Sequence, residues 1–152
     1  MSHDLRLERT FDAAPEIVFD AFLDPDSQRK LYADGPDWVV QSGLDLRVGG
    51  TWTIAFGPSE RELFREVAVF SEVDRPRRLV YDLTATFDDG RSFDTQVEIT
   101  FEGQDGKKTH MTLVQTGYPT AEMRDDFTSG WSAILDALER VVAERVSGSG
   151  SS

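Results

Sequence analysis

Leu79-Val80-Tyr81-Asp82-Leu83-Thr84-Ala85-Thr86-Phe87, followed by Phe93-Asp94-Thr95-Gln96-Val97-Glu98-Ile99-Thr100-Phe101-Glu102, carries the clearest alternation in the chain. In the first segment Leu79, Tyr81, Leu83, Ala85 and Phe87 alternate with Val80, Asp82, Thr84 and Thr86. In the second, Phe93, Thr95, Val97, Ile99 and Phe101 alternate with Asp94, Gln96, Glu98, Thr100 and Glu102. A period of two places each set on its own face of an extended strand. Asp88-Asp89-Gly90 between them is a turn signal, so the pair reads as an antiparallel hairpin with one apolar and one wet face.

Working outward, strand patterns continue on both sides. Trp38 to Gln41, Thr51 to Phe56 and Arg61 to Val73 precede the hairpin, and Thr109 to Gln115 follows it. Turn signals separate them at Gly49-Gly50, Gly57-Pro58, Asp74 to Pro76 and Asp105-Gly106, which implies an antiparallel meander. A first strand spans Asp4 to Phe11, where Leu5, Leu7, Arg9 and Phe11 share a face. Pro15 suits a first helical position, and Ile17, Val18, Ala21 and Phe22 follow at helical spacing. Asp24 then caps, and Pro25 opens, a second short helix running to about Leu31.

An apolar sheet face needs a cover, and the segment after Pro119 is the element left to supply it. Thr120 reads as its N-cap, with Phe127, Trp131, Ile134, Leu135, Leu138, Val141 and Val142 recurring at three- and four-residue steps. The expected fold is therefore α+β: a curved antiparallel sheet wrapped around a long C-terminal helix, with two short helices after the first strand. One folded domain is expected over residues 1–146, with Ser147 to Ser152, all Gly and Ser, as a flexible tail.

Composition bounds the function. The 152 residues suffice for one core, and 39% hydrophobic with 29% charged residues describes a folded globular chain. A formal net charge of −12 opposes approach to a phosphate backbone, so neither nucleic acid nor an anionic membrane surface is an expected partner. Cysteine is absent, which removes thiolate nucleophiles and Cys-based metal sites. The stretch Met1-Ser2-His3-Asp4-Leu5-Arg6 lacks the basic and apolar regions of a targeting signal, and no apolar run is long enough to span a bilayer, so a cytoplasmic protein is expected.

Five segments in this order carry a family resemblance: Arg9 to Val18 (RTFDAAPEIV), Asp45 to Trp52 (DLRVGGTW), Arg78 to Tyr81 (RLVY), Thr109 to Tyr118 (THMTLVQTGY) and Gly130 to Leu138 (GWSAILDAL). The chain resembles the START-like or Bet v 1-like superfamily, also called SRPBCC, and within it the small bacterial proteins related to the activator of the heat-shock chaperone ATPase. The resemblance covers Leu5 to about Val146 and implies the helix-grip fold. Members usually carry a tryptophan at the end of the second short helix, where this chain has Leu31 and Tyr32. Many members are implied to bind apolar or aromatic small molecules, lipids and polyketides among them. Some relatives catalyse cyclisation or dehydration, and others assist chaperones in the stress response, so fold alone does not select among these roles.

In a helix-grip fold the sheet curves away from the helix and leaves volume at its far end, the default position for a ligand. The residues expected to line it are Trp38, Trp52, Ile54, Phe56, Tyr81, Leu83, Phe93, Val97, Gln115, Phe127, Trp131 and Leu135. Buried aromatics also simply fill cores. Arg9 and Gln115 sit among apolar neighbours, where each needs internal partners or a ligand's polar group. Glu66, alternating with Phe64, Ala68 and Phe70, is one such partner for Arg9. Gly130 lies inside the long helix, either for close approach to the sheet or to leave room beside Trp131.

No catalytic set is recognisable. His3 is terminal and His110 lies on the presumed outer face, so a Ser-His-Asp triad has no base and two such histidines do not make a metal site. Acid–base work would fall to Glu66, Asp82 or a tyrosine such as Tyr81 or Tyr118, and no cofactor is implied. The expected function is binding of a small hydrophobic or aromatic molecule. The alternatives are an aromatase/cyclase- or dehydratase-like enzyme in the same cavity and a chaperone ATPase-stimulating module. An exposed strand edge would admit a homodimer, and no residue selects one.

Overall fold

The computed structural model describes residues 3–33 and 35–150, the side chains of 148–150 excepted. Met1 and Ser2 of the N-terminal stretch, and Ser151 and Ser152 of the tail, lie outside them.

The order is β1 (His3–Phe11), α1 (Pro15–Leu23), α2 (Pro25–Tyr32), β2 (Val39–Leu44), β3 (Thr51–Gly57), β4 (Phe64–Asp74), β5 (Arg78–Thr86), β6 (Ser92–Gln104), β7 (Lys108–Tyr118) and α3 (Ala121–Gly150). All seven strands join one antiparallel sheet in the order β1-β7-β6-β5-β4-β3-β2. The sheet curves around α3, the helix-grip arrangement.

Local chemistry accounts for the boundaries. Pro15 opens α1, the Asp24 carboxylate accepts from the Asp26 N–H at 3.0 Å at the start of α2, and the Thr120 hydroxyl accepts from the Met123 N–H at 3.1 Å at the start of α3. Between β2 and β3, Gly49 adopts φ +82°, and a Cβ at Gly50 would lie 2.1 Å from the Asp45 carbonyl oxygen. Only glycine fits there, and the turn it forms is tied to β4 by Gly49 N–H to Phe70 O at 2.8 Å.

Several boundaries differ from the sequence pattern. β4 begins at Phe64 and not at Arg61, because Ser59 to Glu62 closes a turn in which the Glu62 N–H donates to the Ser59 carbonyl at 3.1 Å. β2 starts after Trp38, and α3 runs on through Gly150, beyond Val146.

The core lies between the apolar sheet face and the helices. Phe11, Phe19, Phe22, Phe70, Leu79, Ile99, Phe101, Met111, Leu113, Leu135 and Leu138 are buried. Each such side chain contributes roughly 1.5–3 kcal/mol by leaving water. The α1 helix plugs one end of the grip: Phe19 meets Phe101 edge-on at 5.2 Å, and Phe22 reaches Trp52 at 5.3 Å and Trp131 at 6.2 Å. Among the described residues, nothing equivalent fills the opposite end, where β3 finishes, β4 starts and β5 finishes. On the outer face, His110 lies near the carboxylate of Glu8 at 2.9 Å and the hydroxyl of Thr10 at 3.2 Å. No helix among the described residues is long and apolar enough to cross a membrane.

Candidate functional site

The unfilled end of the grip holds a cavity of about 260 Å³. Its walls are Phe56 from β3, Phe64 and Glu66 from β4, Phe87 just after β5, Tyr32 from the end of α2, and Asp126, Phe127, Gly130, Trp131 and Ile134 from α3. The rings form a continuous lining. Phe64 packs edge-on against Phe56 at 5.4 Å, Phe87 at 5.2 Å and Phe127 at 5.8 Å, and Tyr32 lies 5.2 Å from Phe56. Beneath the cavity a crevice of about 10 Å³, room for about one water, is bordered by Tyr32, Trp52, Ile54, Glu66, Ala68, Tyr81, Leu83 and Trp131.

Of the sequence-derived lining residues, Phe56, Phe127 and Trp131 border the main cavity. Trp52, Ile54, Tyr81 and Leu83 border the crevice below it. Trp38 lies outside, in an adjoining groove shared with Phe56, Phe64 and Phe87. Phe93, Val97, Gln115 and Leu135 border neither space: Val97, Gln115 and Leu135 are buried, and Phe93 packs on Phe87, Tyr118 and Phe127. Tyr32, Phe64, Glu66, Phe87, Asp126, Gly130 and Ile134 join the wall instead. Phe64 and Glu66 were legible as inward by alternation, whereas Asp126 and Gly130 sit on a helix flank that carries no apolar signal.

Gln115 is occupied internally. Its Oε1 accepts from the Trp131 indole N–H at 2.7 Å and from the Tyr118 hydroxyl, while its Nε2 donates to Thr95 Oγ1 at 2.8 Å. This network fixes the Trp131 ring where it walls the cavity. Arg9 is also satisfied, but not by Glu66: it donates to Asp136 at 2.7 Å and to Glu139 at 2.9 Å, both on α3.

Glu66 is therefore left as a carboxylate with no hydrogen bond or ion pair among the described residues. It is half-buried beside the cavity, and burial raises its pKa from 4.5 to about 7. The hydroxyls of Tyr32 and Tyr81 also donate to no described group, and burial, reinforced by the Glu66 charge, pushes both pKa values well up. Trp52 Nε1 is buried without a partner among the described residues. Asp82, by contrast, is exposed on the outer face, where the Gln96 amide donates to it at 3.4 Å.

Gly130 borders the cavity, and a Cβ there would meet nothing within 4 Å. Close helix–sheet approach is thus not its reason. Gly130→Ala should stabilise the protein by about 1 kcal/mol through helix propensity and raise the melting midpoint by about 2–4 °C. Calorimetry checks this, and a lower midpoint would contradict the geometry.

A helix-grip protein of the SRPBCC superfamily is the class that this sheet, its helix and the cavity between them define. The profile of the family described as Activator of Hsp90 ATPase homolog 1-like protein matches residues 12–143, and the chain belongs to that family. Solved structures agree in fold. Protein CV1439 of Chromobacterium violaceum is 28% identical, covering 91% of this chain and 96% of that one at a TM-score of 0.76. Mll3558 of Rhizobium loti is 22% identical, covering 93% and 97%, at 0.78. The AHSA1 protein of Silicibacter pomeroyi is 24% identical, covering 94% and 99%, at 0.77. No curated protein is significantly similar in sequence.

Proposed function

We propose that the protein binds a small apolar or aromatic molecule in the cavity between its sheet and α3. The observation that carries this is the ring-lined cavity of about 260 Å³ between the sheet and α3. An apolar cavity of about 150 Å³ is known to admit benzene, so a one- or two-ring compound matches the space here.

Thermal shift against neutral bicyclic aromatics tests it. A compound at a hundred times its Kd stabilises by about 2.7 kcal/mol, which raises the midpoint by roughly 5–10 °C. Ile134→Trp, which fills the cavity from α3, should abolish the rise. A panel that leaves the midpoint unmoved would count against binding.

One observation favours an acid–base enzyme as a second reading: Glu66, with a pKa near neutrality, is suited to take and return a proton. In that case Glu66→Gln lowers turnover of the bound compound at least about a hundredfold without loss of binding. A chaperone-stimulating role rests on the family description alone. The large apolar residues found exposed are Val48, Val67, Val69 and Val146, among which only Val67 and Val69 are neighbours on one strand face.

A further inference from the structure

We propose that the cavity selects an organic cation, an aromatic or alkyl ammonium whose charge sits among the ring faces opposite Glu66. This deepens the binding reading above and rests on it.

Three features of the wall point the same way. Six aromatic residues, Tyr32, Phe56, Phe64, Phe87, Phe127 and Trp131, line the space. Aromatic faces carry negative potential and attract ammonium groups, most strongly where water is excluded. Among the described residues, the charged side chains in the wall are the carboxylates of Glu66 and Asp126, with no Lys, Arg or His. A carboxylate or phosphate ligand would find no counter-charge there, whereas a cation finds one at the mouth and one inside. Finally, Glu66 is unpaired among the described residues. A buried carboxylate without a counter-ion is costly; Arg9, the cation nearest to its role by sequence pattern, is held by Asp136 and Glu139. A ligand cation supplies what the protein withholds. The net charge of −12 also favours encounter with a cation at a distance.

Among the described residues, the titratable groups that couple to Glu66 are neutral tyrosines, and the cation that shares a groove with it is Arg65, its neighbour in β4, outside the cavity wall. Tyr32 from α2, Tyr81 from β5 and Tyr118 from β7 couple to Glu66, and Asp126 faces the same cavity from α3. Its pKa of about 7 makes the proposal sensitive to pH. A permanently charged ligand binds the ionised form, so its affinity rises with pH through neutrality, and binding there releases protons.

The test compares benzyltrimethylammonium with its uncharged isostere neopentylbenzene by calorimetric titration of the full chain. The cation is expected to bind at least tenfold more tightly at pH 8.5, with the preference shrinking several-fold at pH 5.5. Glu66→Gln should cut the preference several-fold and remove its pH dependence while retaining neopentylbenzene binding, which shows the cavity intact. The pH series on the unaltered chain gives an independent reading if that variant does not fold. Neopentylbenzene bound with the cation rejected, or a cation preference indifferent to both pH and Glu66→Gln, overturns this proposal and leaves apolar binding standing. Neither compound bound, together with no response to the neutral bicyclic panel, overturns both.

Discussion

Gln115→Leu is expected to lower stability by about 3 kcal/mol and the melting midpoint by roughly 6–12 °C. The side chain is buried, and its single carbonyl oxygen serves two donors, the Trp131 N–H and the Tyr118 hydroxyl. Leucine fills a similar volume, so little cavity forms, but both donors lose their acceptor inside the protein. An unsatisfied buried donor costs about 1–3 kcal/mol. Urea denaturation measures the loss directly, provided the slope of the transition is unchanged. A loss below about 1 kcal/mol would mean that the two donors find other acceptors and that the network does not hold Trp131 in place.

Glu66→Gln should remove a pH dependence of stability. In the unfolded chain Glu66 titrates near its ordinary value of 4.5, while in the folded protein burial holds it at about 7. Between those values the unfolded chain has released the proton that the folded protein still binds, so stability falls as pH rises through this window and levels off above it. At about 1.4 kcal/mol for each pH unit of displacement, and with the partial exposure of Glu66 screening part of it, the loss comes to about 2 kcal/mol. The stability difference between variant and unaltered protein is therefore expected near zero at about pH 4.5, growing to about 2 kcal/mol in favour of Gln by about pH 8. A difference that stays constant across that range would show that Glu66 is as well solvated in the folded protein as in the unfolded chain.

These two residues also show how far the sequence could be read. The alternation in Leu79 to Phe87 and Phe93 to Phe101 was legible because one sheet face packs on α3 while the other meets water, and that contrast is what period-two patterning records. The caps at Asp24 and Thr120 were legible because a short polar side chain before a helix has few other uses. Glu66 was legible as inward, but its partner was not. Arg9 and Glu66 share the inner face by alternation, yet β1 and β4 stand four places apart in the strand order. At about 4.8 Å per strand that is roughly 19 Å, well beyond an ion pair. Strand order is a tertiary fact, and it sent Arg9 to α3 instead.

The cavity wall divides in the same way. Phe56, Phe127 and Trp131 declared themselves as large residues on apolar faces. Phe93, Val97, Gln115 and Leu135 follow the same pattern but lie where α3 and the sheet close together. What separates the two sets is whether open space lies beside the side chain, and that leaves no mark on periodicity. Gly130 was marked only by its cost in a helix interior, and the open space beside it supplies the reason.

Proton–nitrogen NMR during titration with a neutral bicyclic aromatic tests ligand binding in the cavity most directly. The account predicts shifts concentrated at Tyr32, Phe64, Glu66, Phe127, Gly130 and the Trp131 indole, with Val67, Thr84 and Gln96 on the outer face unmoved. Shifts confined to that outer face, or none at saturating ligand, would contradict it.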